Sequence, residues 1–355
     1  MVPGKSTQLR VLNLNVWHGR LPRLGALWLQ SIEPPGQKQR RYDALVREIR
    51  RLDPDVIGLQ ECLPQPAFTR RLAADLGGYD GLAAIANGGV RIRGRGLPVG
   101  VGTGEGVSLL ARKSLGLRAH GSPWALSTGG QARESFSFHL SERRVALAAT
   151  VSLPSGERVG LVCLHLRYAF AELGPMYQVW ERLRAAGRVH GPPPAGLLKG
   201  AVRHMRVRDQ ELRTLTARLD AFVEHVPRDR LIVMGDFNLD ADAPQLVEWA
   251  RGHGMVNALP ATAGEPVATW SPDTNPNTRY SITPVHPDGT PKERDALLYA
   301  EYDAQAQSPD HLFVGRGWSI EDAQLACDRP VQAAFSGGEE VFVSDHYGVI
   351  ASLAG

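Results

Sequence analysis

The sequence predicts a mixed α/β domain in which two packed β-sheets are flanked by helices. Three observations lead there. Short apolar runs outnumber the amphipathic helical stretches. Hairpin-like pairs of runs are mixed with connections long enough to hold a helix. Several runs end abruptly in polar residues, the pattern of buried strands that deliver side chains to a sheet edge. Of the 355 residues, 43% are hydrophobic and 22% charged, which is ordinary for a globular chain with a sizeable core. No internal repeat is visible, so we expect a single domain over residues 1–355, with an inserted flap at about 167–202.

Taken in chain order, Leu9 to Asn15 alternates as a strand does and ends in Asn15-Val16-Trp17-His18. Tyr42, Leu45, Val46, Ile49 and Leu52 recur at helical spacing, with Arg and Glu on the other face, and Asp53-Pro54-Asp55 stops that helix. Val56 to Leu59 is a short strand that runs into Gln60-Glu61. The glycine-rich segment 87–106 is expected to form a surface loop. Val107 to Leu110, Val145 to Leu153 and Arg158 to Leu164 read as strands, the last two joined by a turn at Ser155-Gly156. The flap carries Tyr168, Phe170, Met176, Tyr177 and Trp180 and then Gly191-Pro192-Pro193-Pro194, and is expected to be partly helical. Leu212, Leu215, Leu219, Phe222 and Val223 form a second amphipathic stripe. Leu231 to Met234 is a buried strand that exits into Gly235-Asp236-Phe237-Asn238. Ala296 to Tyr299 and Tyr347 to Leu353 complete the expected strands.

A net charge of +3 is compatible with an anionic ligand but too small to announce a nucleic-acid binder. The basic cluster Lys38, Arg40, Arg41, Arg47, Arg50 and Arg51 lies on the polar face of the first helix, and a solvated role is expected for it. Arg203, Arg206 and Arg208 read the same way. Cys62 and Cys163, in or beside expected strands, suit buried, reduced thiols, and the three cysteines, Cys327 included, suggest no disulfide framework. No apolar run approaches the roughly 18 residues that span a bilayer. The opening Met1 to Ser6 does not have the composition of a signal peptide. A soluble monomer is expected, either cytoplasmic or secreted with its leader removed.

The strand exits carry the chemistry: Asn15; Glu61; His165; Asp236 with Asn238; Asp295; and Asp345 with His346. Carboxylates with a carboxamide are hard oxygen ligands, suited to Mg²⁺ and also to Mn²⁺. Histidines add proton transfer and hydrogen bonds to a phosphoryl group. Zinc is a poorer match, because no cysteine ligands and no His-x-x-x-His pair are present. Singly, each residue has a bland reading as a turn former, a loop carboxylate or a satisfied core histidine. Their common place at strand exits changes that balance.

The order of these clusters resembles the endonuclease/exonuclease/phosphatase superfamily of metal-dependent phosphoesterases. The matching motifs are Leu12 to Trp17, Asp55 to Glu61, Gly106 to Arg112, His165-Leu166, Gly235-Asp236-Phe237-Asn238, Arg294-Asp295 and Ser344-Asp345-His346. The resemblance implies a four-layered α/β sandwich, two mixed β-sheets packed together and flanked by helices. It also implies Glu61 as the main metal ligand, with Asn15 and Asp345 completing or supporting the site. Asp236 and Asn238 would position the attacking water and the phosphate. His346, oriented by Asp295, would be the general base or a phosphate contact, and His165 would hydrogen-bond the transition state. Two departures stand out. Leu164 precedes His165 where the family usually has threonine, and Ala296 follows Asp295 where it usually has an aromatic residue or histidine.

Two branches fit. The opening Leu12-Asn13-Leu14-Asn15-Val16-Trp17 looks like that of neutral sphingomyelinases, and the aromatic flap would then offer peripheral contact to a membrane. The loop Thr269-Trp270-Ser271-Pro272-Asp273-Thr274-Asn275-Pro276-Asn277 resembles one in tyrosyl-DNA phosphodiesterases. There Trp270 would stack on a base or head group, with Asn275 and Arg294 at the substrate. The apurinic endonuclease branch fits less well, since Cys62-Leu63 follows Glu61 in place of its Thr-Lys. The favoured expectation is a Mg²⁺-dependent phosphodiesterase acting on a phospholipid-type head-group ester. Action on a nucleic-acid end and a non-catalytic binding module on the same fold are the alternatives.

Overall fold

The computed structural model describes residues 8–22, 29–31, 33, 36–87, 90–92, 95–97, 104–127, 130–132, 136–139, 143–281, 294–332 and 340–355. Two large sheets form its centre. The first contains β1 (Gln8–Asn15), β2 (Val56–Cys62), β3 (Tyr79–Asn87), β4 (Glu105–Arg112), β11 (Ser319–Ala326) and β12 (Gly348–Ala354), in the order β11-β12-β1-β2-β4-β3. The second contains β5 (Trp124–Ala125), β6 (Val145–Ser152), β7 (Arg158–His165), β8 (Leu231–Asp236), β9 (Met255–Asn257) and β10 (Asp310–Gly315), in the order β5-β6-β7-β8-β10-β9. The short strand Arg118–Ala119 adds to β6.

Each sheet holds one parallel pair, β1 with β2 and β7 with β8, and the other pairings along both orders are antiparallel. A parallel pair needs a crossover, usually helical. α1 (Gln37–Leu52) supplies the first crossover; α3 (Leu173–Ala185) and α4 (Ala195–Phe222) supply the second. The helical stripe read from Tyr42 to Leu52 is the buried face of α1, and Asp53 closes it in the left-handed region. α2 (Ala67–Leu76) joins α1 against the first sheet, α5 (Pro244–His253) joins α4 against the second, and the short α6 (Ala258–Ala263) follows β9.

Both sheets are covered on both faces, which is why their central strands read as apolar runs. On β1, Leu9 and Val11 enter the core between the sheets, with Leu109, Leu161, Ile232 and Leu312. Leu12 and Leu14 face the other way, into α1 beside Leu45 and Ile49. Across the molecule, Val162, Leu164 and Val233 pack on Leu215, Leu219 and Phe222 of α4. The four layers expected from the sequence are therefore present. Burial of each such side chain contributes about 1.5–3 kcal/mol, so the inter-sheet core and the two sheet–helix layers together hold the sandwich.

Several expectations need correction. Ala296 to Tyr299 is not a strand but part of the helix α7 (Arg294–Asp303), whose Leu297 and Leu298 are buried against α3 and α4. The aromatic flap does not display its apolar stripe. Phe170, Met176 and Trp180 are buried in this satellite cluster, and Tyr177 is the exposed aromatic among them. Arg41 and Arg208, read as solvated, are buried and donate to backbone carbonyls. Within segment 87–106, expected to be a loop, Val90–Ile92 and Arg95–Leu97 pair as a hairpin in a small separate sheet. Residues 88, 89, 93, 94 and 98–103 of that segment lie outside the described residues.

Candidate active site

The two parallel pairs bring four strand ends to one edge of the sandwich. Asn15 and Glu61 end the first pair; His165 and Asp236 end the second. Registry sets the second row: His165 lies opposite Asp236, and Asp236 lies opposite Asp310, the first residue of antiparallel β10. His346 precedes β12, the antiparallel neighbour of β1, and so arrives at the same edge.

Asn15 joins the sheets. Its Nδ2 donates to Glu61 Oε1 at 3.2 Å and to Asp236 Oδ2 at 3.0 Å. Glu61 Oε2 accepts the backbone N–H of His18 at 3.1 Å, with His18 Nε2 3.5 Å away. Asp236 Oδ1 accepts the Asn238 N–H at 2.9 Å, while Asn238 Nδ2 donates to the Leu166 carbonyl. Glu61 and Asn238 both hold positive φ, at 56° and 52°, a backbone conformation that non-glycine residues seldom adopt and that clusters at functional sites.

The carboxylate paired with His346 is that of Asp310; the side chain of Asp295, expected in this role, falls outside the described residues. His346 Nδ1 lies 2.8 Å from Asp310 Oδ2, which also accepts the Thr269 hydroxyl at 2.7 Å. The backbone of Asp295 lies in α7, in the first turn of a helix outside both sheets. The signal for Asp310 was present in the sequence. Asp310 opens the run His311-Leu312-Phe313-Val314 and has the following histidine that Asp295 lacks. The side chain of Arg294, expected at the substrate, falls outside the described residues.

Trp270 and Asn275, also expected at the substrate, are buried supports instead. The Trp270 ring packs edge-on against His346 at 5.1 Å between centroids, and its Nε1 donates to the Asp303 carbonyl. Asn275 and Asn277 both donate to the Ser344 carbonyl, fixing the turn that presents Asp345 and His346. Asp345 is buried, and its Oδ1 accepts from Ser344 Oγ. Among the described residues, the metal-capable donors brought within 4.8 Å of one another belong to Asp236, Asp310 and His346. Asp345 is not in that group. Glu61 and Asn15 reach it through the Asn15 bond to Asp236.

The sequence reading also gave no role to His18, Glu105 and Arg144. Glu105 Oε1 lies 3.8 Å from His165 Nδ1 and 3.9 Å from Arg144 Nη1, and its Oε2 lies 3.9 Å from His18 Nε2. Arg144 Nη1 lies 3.1 Å from His165 Nδ1. A guanidinium can only donate, so Nδ1 accepts and neutral His165 carries its proton on Nε2. That Nε2–H faces Asp236 Oδ2 at 3.4 Å.

Burial and charge then separate the titrations. Burial and the Arg144 cation hold His165 well below the usual histidine value. Burial and the neighbouring Asp310 charge push Asp236 up to about 7. His346 is buried, which opposes its charge, yet the carboxylates of Asp310, Asp345 and Asp236 outweigh this and hold it well above the usual value. Glu61 is half-buried, which again opposes its charge, but the neighbouring imidazoles, His18 foremost, and the His18 N–H bring it down to about 2.

Residues 12–346 match the sequence profile of the endonuclease/exonuclease/phosphatase family. The chain belongs to this family. Its members are hydrolases of phosphate esters, and the two-sheet sandwich is the family's fold. A family protein from Bacteroides thetaiotaomicron superposes with a TM-score of 0.58 at 14% identity, covering 99% of this chain and 98% of its own. A mannosyl-6-phosphatase of the same organism gives 0.56 at 13% identity, covering 97% and 99%. TDP2 of D. rerio, complexed with a single-strand DNA product, gives 0.51 at 15% identity, with 98% of each chain covered. These likenesses establish the shared fold. None of the curated proteins compared with the chain matches it by sequence. No helix among the described residues is long and apolar enough to cross a membrane.

Proposed function

We propose that this protein is a divalent-metal-dependent phosphodiesterase that hydrolyses a small, head-group-type phosphate ester by direct attack of water. The observation that carries the reading is the pairing of His346 with Asp310 across from the Asn15 bridge between Glu61 and Asp236. A binding module of the same fold needs no such proton-handling set.

The donor set fits Mg²⁺. Buried Asp310 Oδ1 has no hydrogen-bond partner, and it belongs to a carboxylate crowded against Asp236. Such crowding is relieved by a cation with oxygen preference. Glu61, Asn15 and Asp310 are the residues that would hold it. When bound, Mg²⁺ supplies neutralisation of phosphate charge and stabilises the departing oxygen. The chain's own groups do the rest. Asp236, with Oδ2 pinned by Asn15 and faced by His165 and Oδ1 held by the Asn238 N–H, accepts the proton of the attacking water at near-neutral pH. His346, kept as imidazolium by Asp310, donates to a phosphoryl oxygen where charge builds. Asn238 lines the approach beside Asp236.

Asp236→Ala and His346→Ala are each expected to abolish turnover while circular dichroism and thermal midpoint show a folded protein. A panel of bis-p-nitrophenyl phosphate, sphingomyelin, a phosphatidylcholine, plasmid DNA and a 5′-tyrosyl oligonucleotide, with Mg²⁺ and with EDTA, tests the class. Chelator-insensitive cleavage, or full activity in both variants, would refute the proposal. The TDP2 likeness keeps a nucleic-acid end as the second reading. A steep loss of affinity with salt would favour that reading over a small ester.

A further inference from the structure

A cavity of about 350 Å³ opens beside Glu61, and no step of the proposed hydrolysis uses it. Glu61 and His18 form part of its lining, so it is continuous with the site. Most of the rest is apolar: Val16, Tyr42, Leu45, Leu63, Phe68 and Val343. Its wall is pre-formed. Buried Arg41 donates to the carbonyls of Val16, Trp17 and Val343 and is neutralised by Glu33 at 2.6 Å. A wall fixed in this way loses little freedom when a ligand enters.

The cations around the cavity are already engaged. Lys38 Nζ donates to the His18 carbonyl. The Arg71 guanidinium lies 3.8 Å from the centre of the Tyr42 ring and pairs with Asp75, and Arg41 stacks on Trp17. Two aromatic faces are thus taken by guanidinium groups, and the charges of Arg41 and Arg71 are balanced by Glu33 and Asp75. A quaternary ammonium would have to compete with those guanidinium groups for the Tyr42 and Trp17 rings. A sugar hydroxyl finds few partners, and burying one without a partner is unfavourable. The volume is at the lower end for ligand pockets, which suits one compact group and not a whole lipid.

We propose that this cavity is the subsite for an apolar ester group of the substrate: one aryl or cycloalkyl substituent on a phosphate whose charge is met at the Glu61 centre. The inference rests on the phosphoesterase reading above and specifies which esters it acts on.

The test uses the full chain with Mg²⁺. Calorimetric titration compares methyl-, phenyl- and cyclohexylphosphonate. Turnover compares p-nitrophenyl phosphodiesters whose second ester is methyl, phenyl, cyclohexyl or choline. Phenyl and cyclohexyl are expected to bind about ten-fold or more tighter than methyl, given the apolar area they bury. Ala67 is exposed on the first turn of α2 and borders the cavity. Ala67→Trp is therefore expected to bring the phenyl-to-methyl ratio close to one, whereas Ala67→Ser, which adds little volume, keeps it. Equal affinity across the phosphonates, a choline preference, or a ratio that survives Ala67→Trp in a folded variant would overturn the subsite. Binding preference without any turnover supports the subsite and counts against the phosphodiesterase reading instead.

Discussion

At the scale of single residues, the site is defined by what surrounds each ionisable group. His346 and His165 are both buried histidines at strand ends, yet they are driven in opposite directions. One faces Asp310; the other faces Arg144. Asp310→Asn removes the carboxylate that contributes most to raising His346. We expect the imidazole titration of His346, followed by NMR, to move down in pH. Turnover should fall by about 10²–10⁴, the usual worth of positioned acid–base groups. An unchanged titration would show that Asp310 does not set the state of His346. The sequence supplied most of this set, because Asn15, Glu61, His165, Asp236, Asn238 and His346 all terminate or flank readable strands. Two aspartates compete for one motif position: the histidine after Asp310 is the sequence signal in its favour, and registry beside Asp236 places it at the site.

At the scale of elements, the sheets approach closely where β2 crosses β8. A Cβ on Gly58 would stand 2.4 Å from Met234 Sδ and 3.4 Å from Cys163 Sγ. Gly58→Val is expected to destabilise the fold by about 1–3 kcal/mol through overpacking, read as a lowered denaturant midpoint. A neutral result would mean that Met234 re-packs freely. Elsewhere, α7 ties the flap to the turn that carries His346. Tyr168 donates its hydroxyl to Asp303, whose backbone carbonyl holds Trp270 against His346. Burial pushes the Asp303 carboxyl up to about 7. A raised carboxyl binds its proton more tightly in the folded chain than in the unfolded one, where its value is about 3.9. Its stabilising contribution is therefore complete in acid and is lost as pH climbs from about 4 to about 7. Asp303→Asn should flatten this part of the thermal-midpoint profile. If wild type and variant decline in parallel between pH 5 and 8, the assignment fails.

At the scale of the whole molecule, the site lies on the joint between two sheets. Beneath it, Asn13 Nδ2 on β1 reaches the carbonyls of Gly235 and His311, and Gln60 Nε2 on β2 reaches Asn13 and Cys163 Sγ. Buried polar links of this kind fix how the sheets align. The same joint gathers Asp236 and Asp310, whose repulsion opposes folding unless a cation intervenes. Mg²⁺ at a hundred-fold excess over its dissociation constant should add about 2.7 kcal/mol of stability. The thermal midpoint should rise by several degrees and return with EDTA. Indifference of the midpoint to both would remove the case for a resident metal.

The sequence by itself determined the layers, most strands and most of the residues gathered at the candidate site, because these depend on local alternation, helical spacing and the polar residue at each strand exit. Tertiary structure decided what local pattern cannot encode. It placed Asp310 beside His346, turned Trp270 and Asn275 from substrate contacts into buried supports, and made a helix of the stretch after Arg294. It also buried the flap's aromatics and Arg41. In each case the deciding factor is a partner far away in the chain. A tryptophan or an arginine looks the same in sequence whether its neighbour is water or a carbonyl some three hundred residues away, as for Arg41 and Val343.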